Sequence, residues 1–172
     1  MQQTYMISLM TADRPGVVEK IADVITRHRG NWLESRLVRL GGQFAGVISL
    51  QVATEEAASL VTALEVFNDS AMQLTVTPLQ VPTQESTQLV HFNVVANDRP
   101  GIVQELSSVF SAAGANLEEL ATDLGSTPWS GEALFEADAL VALPEGVTVE
   151  ALIEQLEALA DDLMVEVNPE EG

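Results

Sequence analysis

The stretch Thr11-Ala-Asp-Arg-Pro-Gly-Val-Val18 returns as Ala96-Asn-Asp-Arg-Pro-Gly-Ile-Val103, which places Asp13 and Asp98 85 residues apart in a chain of 172. A repeat of this length limits the fold more than any other feature, because what one half builds the other must also build. Asn31 and Asn116 keep the same step, and so do Glu34 and Glu119. An apolar, strand-like segment precedes each copy (Tyr5 to Met10; Leu89 to Val95), and a helical pattern follows it. The chain reads as a duplicated domain. Halves of roughly 85 residues can bury a core without disulfides or metals.

Within the first half, Tyr5 to Met10 is apolar on both alternate sets of positions, as in a strand covered on two faces. Asp13-Arg14-Pro15-Gly16 then punctuates, and since proline suits the first helical position, a helix is expected to start at Pro15. Val17, Val18, Ile21, Val24 and Ile25 follow the helical spacing. Arg27-His28-Arg29 suit a helix C-terminus, and Gly30 and Asn31 close it. Trp32 to Leu40 and Phe44 to Val52 alternate around Gly41-Gly42, a hairpin pattern. Ala57, Leu60, Val61, Leu64 and Phe67 give a second helix, and Met72 to Leu79 a fourth strand.

The second half repeats the order after a polar linker. Ile102, Val103, Leu106, Val109 and Phe110 line a helix, and strands follow at Leu117 to Leu124 and Phe135 to Leu143. Phe135, Ala137, Ala139 and Val141 fall on one side of the latter, Glu136 and Asp138 on the other. A last helix runs from Val149 through Leu163, with Glu154, Glu157, Asp161 and Asp162 on its polar side, and Met164 to Val167 is a short final strand. The division expected is 1–82 for the first repeat, 83–88 for the linker and 89–172 for the second, whose hairpin is lengthened at 125–131 around Trp129. The order βαββαβ predicts an α+β fold: two ferredoxin-like repeats, each an antiparallel four-stranded sheet with both helices on one face. The free faces or edges are expected to pack on the other repeat or on a second chain.

Charge narrows the function. Residues 1–83 carry six bases and eight acids, whereas 84–172 carry Arg99 against eighteen acids, within a net charge of −19. Such a field repels polyanions, so direct nucleic-acid contact is not expected. The acidic surface serves solubility or meets a basic partner. There is no cysteine, hence no disulfide or thiolate chemistry. His28 and His91 have no companions at ligand spacing, so no metal and no cofactor are assigned. No nucleophile elbow, phosphate loop or metalloprotease pattern occurs, and an enzyme is not expected. Without a basic leader or an apolar run of spanning length, a cytoplasmic protein is expected, with no membrane association.

The Asp-Arg-Pro-Gly turn between a first strand and first helix, followed about fifteen residues later by a Gly-x-Asn-like turn, within a βαββαβ repeat, resembles the ACT domain of amino-acid-responsive regulatory proteins. The resemblance covers nearly the whole chain. Two bare repeats without a catalytic domain are similar to the glycine-cleavage type of transcriptional repressor, most closely through Asn31-Trp-Leu-Glu-Ser-Arg-Leu and Gly41-Gly42-Gln-Phe. The resemblance implies sensing of a small amino acid such as glycine at an interface between ACT units. It also implies control of transcription through a protein partner, such as a DNA-binding activator, in a homodimer. A free-standing allosteric subunit for an enzyme of amino-acid metabolism is the alternative.

The motif has chemistry of its own. The first turn of a helix leaves amide N–H groups unpaired at the positive end of the helix dipole, where a carboxylate settles. The carboxylate of an amino acid could take the amides of Gly16 and Val17, or of Gly101 and Ile102, flanked by Arg14 in the first copy. Its ammonium needs an acceptor, such as Asp13 or Asp98, and Asn31 and Asn116 offer both a donor and an acceptor. Asn97 stands where the first copy has Ala12, so the sites are not identical. The same residues also suit a purely structural role, with Asp as helix cap, Gly in a tight turn and Asn in the left-handed conformation. A helix end contributes about 0.3 to 1 kcal/mol toward an anion, whereas millimolar affinity requires about 4, so a second wall must complete any site. Valine at Gly16 or Gly101 is expected to weaken binding and leave the fold largely intact.

Overall fold

The first half runs β1 (Gln2–Ala12), α1 (Val17–Arg27), β2 (Asn31–Leu40), β3 (Gln43–Ala53), α2 (Thr54–Glu65) and β4 (Met72–Pro78). The second runs β5 (Gln88–Asn97), α3 (Ile102–Ala112), β6 (Asn116–Ser126), β7 (Ala133–Leu143), α4 (Val149–Glu157) and β8 (Met164–Pro169). This computed structural model describes residues 1–69, 71–79, 88–126 and 133–169. The chain divides into two units, Met1–Thr83 and Gln84–Gly172. Of the expected linker, 83–87 lie outside the described residues, while Gln88 already belongs to β5. In the lengthened hairpin Gly125 and Ser126 extend β6, and 127–131, Trp129 included, lie outside the described residues.

Each unit is one antiparallel four-stranded sheet, in the order β2-β3-β1-β4 or β6-β7-β5-β8. The first strand of each unit is central in its sheet, yet β1 is not covered on the two faces expected of its apolar sequence: Ile7 and Leu9 are buried, while Ser8 and Met10 on the opposite face are exposed. In β1, Ile7 and Leu9 are buried with Ile48, Leu50 and Val52 of β3, beneath Ile21 and Ile25 of α1 and Leu60 and Leu64 of α2. Both helices therefore cover one face. Thr11, a buried polar residue of the same strand, is satisfied by donating to the Ala71 carbonyl at 3.0 Å. In the second unit Phe92 of β5 meets Phe110 of α3 edge to face, with centroids 5.4 Å apart. Phe135, Ala137, Ala139 and Val141 of β7 are buried while Glu136 and Asp138 are exposed, as the alternation requires. A bulge interrupts pairing between Trp32 and Glu34 in β2 and again between Leu117 and Glu119 in β6, so the repeat extends to its irregularities.

Three further sequence expectations are corrected. The first helix of each unit starts at Val17 or Ile102, not at the proline, because Gly16 (φ 86°, ψ 2°) and Gly101 (φ 94°, ψ −6°) are left-handed. With proline ahead of it, each glycine completes a type II turn, closed in the second unit by the Ile102 N–H on the Arg99 carbonyl at 3.4 Å. At the helix end it is Arg29 (φ 55°) and Gly114 (φ 71°) that take the left-handed conformation, while Asn31 and Asn116 open strands. The last helix stops at Glu157, and Leu163 reaches the core from the segment after it. Asp161 and Asp162 are therefore not helical.

Candidate functional site

Each unit's helix-opening turn is held between the end of the central strand and the neighbouring hairpin. The Asp13 N–H donates to the Gly42 carbonyl at 3.1 Å, and the Asp98 N–H to the Ala133 carbonyl at 3.0 Å. Neither aspartate caps its helix, since no side chain caps α1 or α3. The helical ladder begins with the Lys20 N–H on the Gly16 carbonyl and the Glu105 N–H on the Gly101 carbonyl. Around the first turn lies an open depression lined by Asp13, Arg14, Gly16, Val17, Val18, Glu19 and Phe44. Four of the expected binding residues thus share one wall. In the second unit a hollow beside α3 is lined by Gly101, Gln104, Glu105 and Ser108 with Gln155 of α4 and Leu159 after it, and Asp98 and Arg99 are not part of it.

The electrostatics of the two turns differ. Asp13 pairs with Arg39 from the end of β2 at 2.7 Å; the position that repeats Arg39 is Leu124. In the second unit Arg99 Nη1 donates to Glu105 Oε1 at 2.8 Å and Nη2 donates to Oε2, a two-pronged pair. Its hydrogen bonds raise the Arg99 pKa and lower that of Glu105 below the usual carboxylate value. Asp162 Oδ2 accepts the Asn97 N–H at 2.8 Å, and that bond lowers the Asp162 pKa. In the first unit the loop before β4 contains Asp69, whose Oδ1 accepts the N–H groups of Ala71 and Met72. These bonds, with a smaller contribution from the charge of Arg14, lower its pKa. Glu105 and Asp162 are residues that sequence reasoning missed. The signal for the first was available, since Lys20 is its counterpart 85 positions earlier.

Asn31 and Asn116 do not join these turns within a unit. Asn31 sits opposite Gln51, which sits opposite Thr4, whereas Asp13 follows Ala12 at the other end of β1. Eight residues of antiparallel strand span roughly 27 Å. Asn116, opposite Ala142 and level with Leu89, is equally far from Asn97. Its Nδ2 donates to Glu118 Oε1 at 2.6 Å. The expected clamp of Gly16 amides and Asn31 on one zwitterion is therefore not built inside a unit, because the helix between them carries the chain back along the whole strand.

His28 ends α1 with Nδ1 3.1 Å from Ser59 Oγ and 3.8 Å from Glu56 Oε2, a contact that ties α1 to α2. Among the described residues no three His, Asp or Glu side chains gather as a metal site, and no helix is long and apolar enough to cross a membrane.

Residues 3–77, nearly all of the first unit, match the family model of the ACT domain. Two solved structures share the fold over the full chain. A protein of unknown function from Galdieria sulphuraria is 23% identical, with 98% of this chain and 99% of that one covered at a TM-score of 0.81. A candidate glycine cleavage system transcriptional repressor is 17% identical, with 98% and 97% covered at a TM-score of 0.70. Among curated proteins none is significantly similar in sequence. The first unit thus matches the ACT domain over residues 3–77, and the second unit repeats its topology.

Proposed function

We propose that this chain is an amino-acid-sensing regulator that controls transcription through a protein partner without touching DNA, in the manner of a glycine cleavage repressor, and that it works as a cytoplasmic homodimer. The observation that carries the reading is the helix-opening depression of the first unit. There an exposed Arg14 stands beside the left-handed Gly16 turn at the positive end of α1, in a domain that matches the ACT family. The likeness of the two-repeat fold to the candidate repressor supports the reading. The net charge of −19 supports action through a protein, because a chain with few exposed cations gains little from counterion release on DNA.

One depression of this kind holds an amino acid weakly, and the dimer supplies the second wall. A thermal-shift screen against the twenty amino acids, followed by calorimetry, tests the proposal. A small amino acid such as glycine is expected to raise the melting temperature; at a hundredfold excess over Kd, binding adds about 2.7 kcal/mol to stability. No response to any amino acid by a dimeric, folded sample sinks the sensor reading. Affinity capture from the native host is expected to return a DNA-binding regulator; a metabolic enzyme instead would make the chain an allosteric subunit.

A further inference from the structure

We infer that the two helix-opening turns are unequal. The turn of the first unit takes the ligand carboxylate with Arg14 as its cation, whereas in the second unit Glu105 occupies the equivalent Arg99 from within the chain and keeps that turn closed. The inference rests on the sensor reading above and names which of two sites performs it. The backbones of the two turns are nearly alike, since Gly16 and Gly101 differ by only 8° in both φ and ψ. Arg14 and Arg99 keep the step of 85. What differs is the residue one helical turn on: Lys20 in the first unit, Glu105 in the second.

The second unit itself shows what an arginine at this position holds. Arg99 clasps both oxygens of the Glu105 carboxylate in the paired geometry that a free carboxylate would adopt. An external acid must displace a tethered competitor whose local concentration is on the order of millimolar. In the first unit no carboxylate plays this part. Among the described residues Arg14 makes no ion pair, and the aspartate that feels its charge, Asp69, already accepts two backbone N–H groups. The surrounding charge points the same way. Among the described residues of the two turns, Asp13, Glu19 and Asp69 are balanced by Arg14, Lys20 and Arg39, whereas Asp98, Glu105 and Asp162 are accompanied by a single cation, Arg99. An incoming anion meets a neutral surface at one turn and a repulsive one at the other. The hollows agree. Arg14 and a half-buried Phe44 line the first, while in the second unit Phe135, which pairs with Ala96 as Phe44 pairs with Thr11, is buried and the hollow at Gly101 does not include Arg99.

The backbone amides of the two turns are separate reporters in a ¹H–¹⁵N NMR titration of the full chain with glycine, and with acetate as a carboxylate that lacks the ammonium. Gly16 and Val17 are expected to shift saturably while Gly101 and Ile102 stay in place. Arg14→Gln should raise Kd at the first turn roughly tenfold or more. Glu105→Lys, which installs the first unit's residue, should bring a second saturable response at Gly101 and Ile102, and Glu105→Gln a weaker one. Equal shifts at both turns of the unaltered chain overturn the inference and leave the sensor reading standing. So does a second turn that stays silent in both Glu105 variants while their spectra keep folded dispersion. Silence at both turns also overturns it, and when no amino acid stabilises the protein either, the sensor reading falls with it.

Discussion

At Gly16 the left-handed backbone, and not lack of room, decides what the position accepts. Only Glu19 Oε2, at 3.8 Å, comes near a Cβ built there, yet φ is 86°. Valine is therefore a poor probe of ligand contact: Gly16→Val is expected to cost about 1 to 3 kcal/mol of folding stability through strain alone. Asparagine tolerates this conformation. Gly16→Asn should keep most of the stability in urea denaturation, which makes it the usable variant for binding work. Gly46 is the opposite case. It faces Leu37 across the β2–β3 pair, where a Cβ would collide with the Arg36 carbonyl group, its carbon only 2.9 Å away. Gly46→Ala is expected to destabilise the first unit by about 1 to 3 kcal/mol, read from the denaturation midpoint. The place opposite Val94 that corresponds to it holds Ala137 without difficulty, so the demand belongs to the local approach of β2 and not to the fold.

Among the elements, the segment between α4 and β8 does more than connect. By running out of helix at Glu157 it places Asp162 under the Asn97 N–H, at the mouth of the α3 turn, and Leu163 in the core. Its pKa and that of Glu105 are both lowered by hydrogen bonds, from ordinary values of 3.8 and 4.5. A carboxylate whose pKa is lower in the folded state stabilises fully above its ordinary value. That contribution fades as pH falls through the folded value, because the unfolded chain then binds more protons. Comparing urea denaturation of the wild type and Glu105→Gln across the acid range, the variant should show a shallower loss of stability with falling pH. Identical slopes would mean that the Arg99–Glu105 pair contributes nothing. Relief of repulsion among the many carboxylates acts on both proteins, so the difference between them isolates the pair.

On the scale of the whole molecule, the described residues form two cores with no member in common, one centred on Ile7, Leu50 and Leu64 and the other on Phe92, Phe110 and Leu156. Leu50→Ala is expected to destabilise the first unit by about 2 to 5 kcal/mol and Phe92→Ala the second by about 3 to 5. Calorimetry should show each lowering a different part of the unfolding profile, and a single transition displaced equally by both would show that the units unfold as one. Much of this was legible beforehand. A step of 85 residues and the alternation of Ile7 and Leu9, or Phe135 and Ala137, suffice for two βαββαβ sheets, because side-chain periodicity and turn chemistry are local properties that a sequence displays. The sequence also placed Asp13, Arg14 and Gly16 together, since they are neighbours in the chain. It could not show that Asn31 stands at the far end of the strand, nor that Gly16 displaces the helix start from Pro15. Nor could it say which donor each carboxylate meets: Glu105 is six residues from Arg99, and Asp162 is 65 from Asn97. Those pairings follow from where the folded backbone aims each side chain and brings distant segments together. Two turns written almost identically thus acquire different charge environments only in three dimensions.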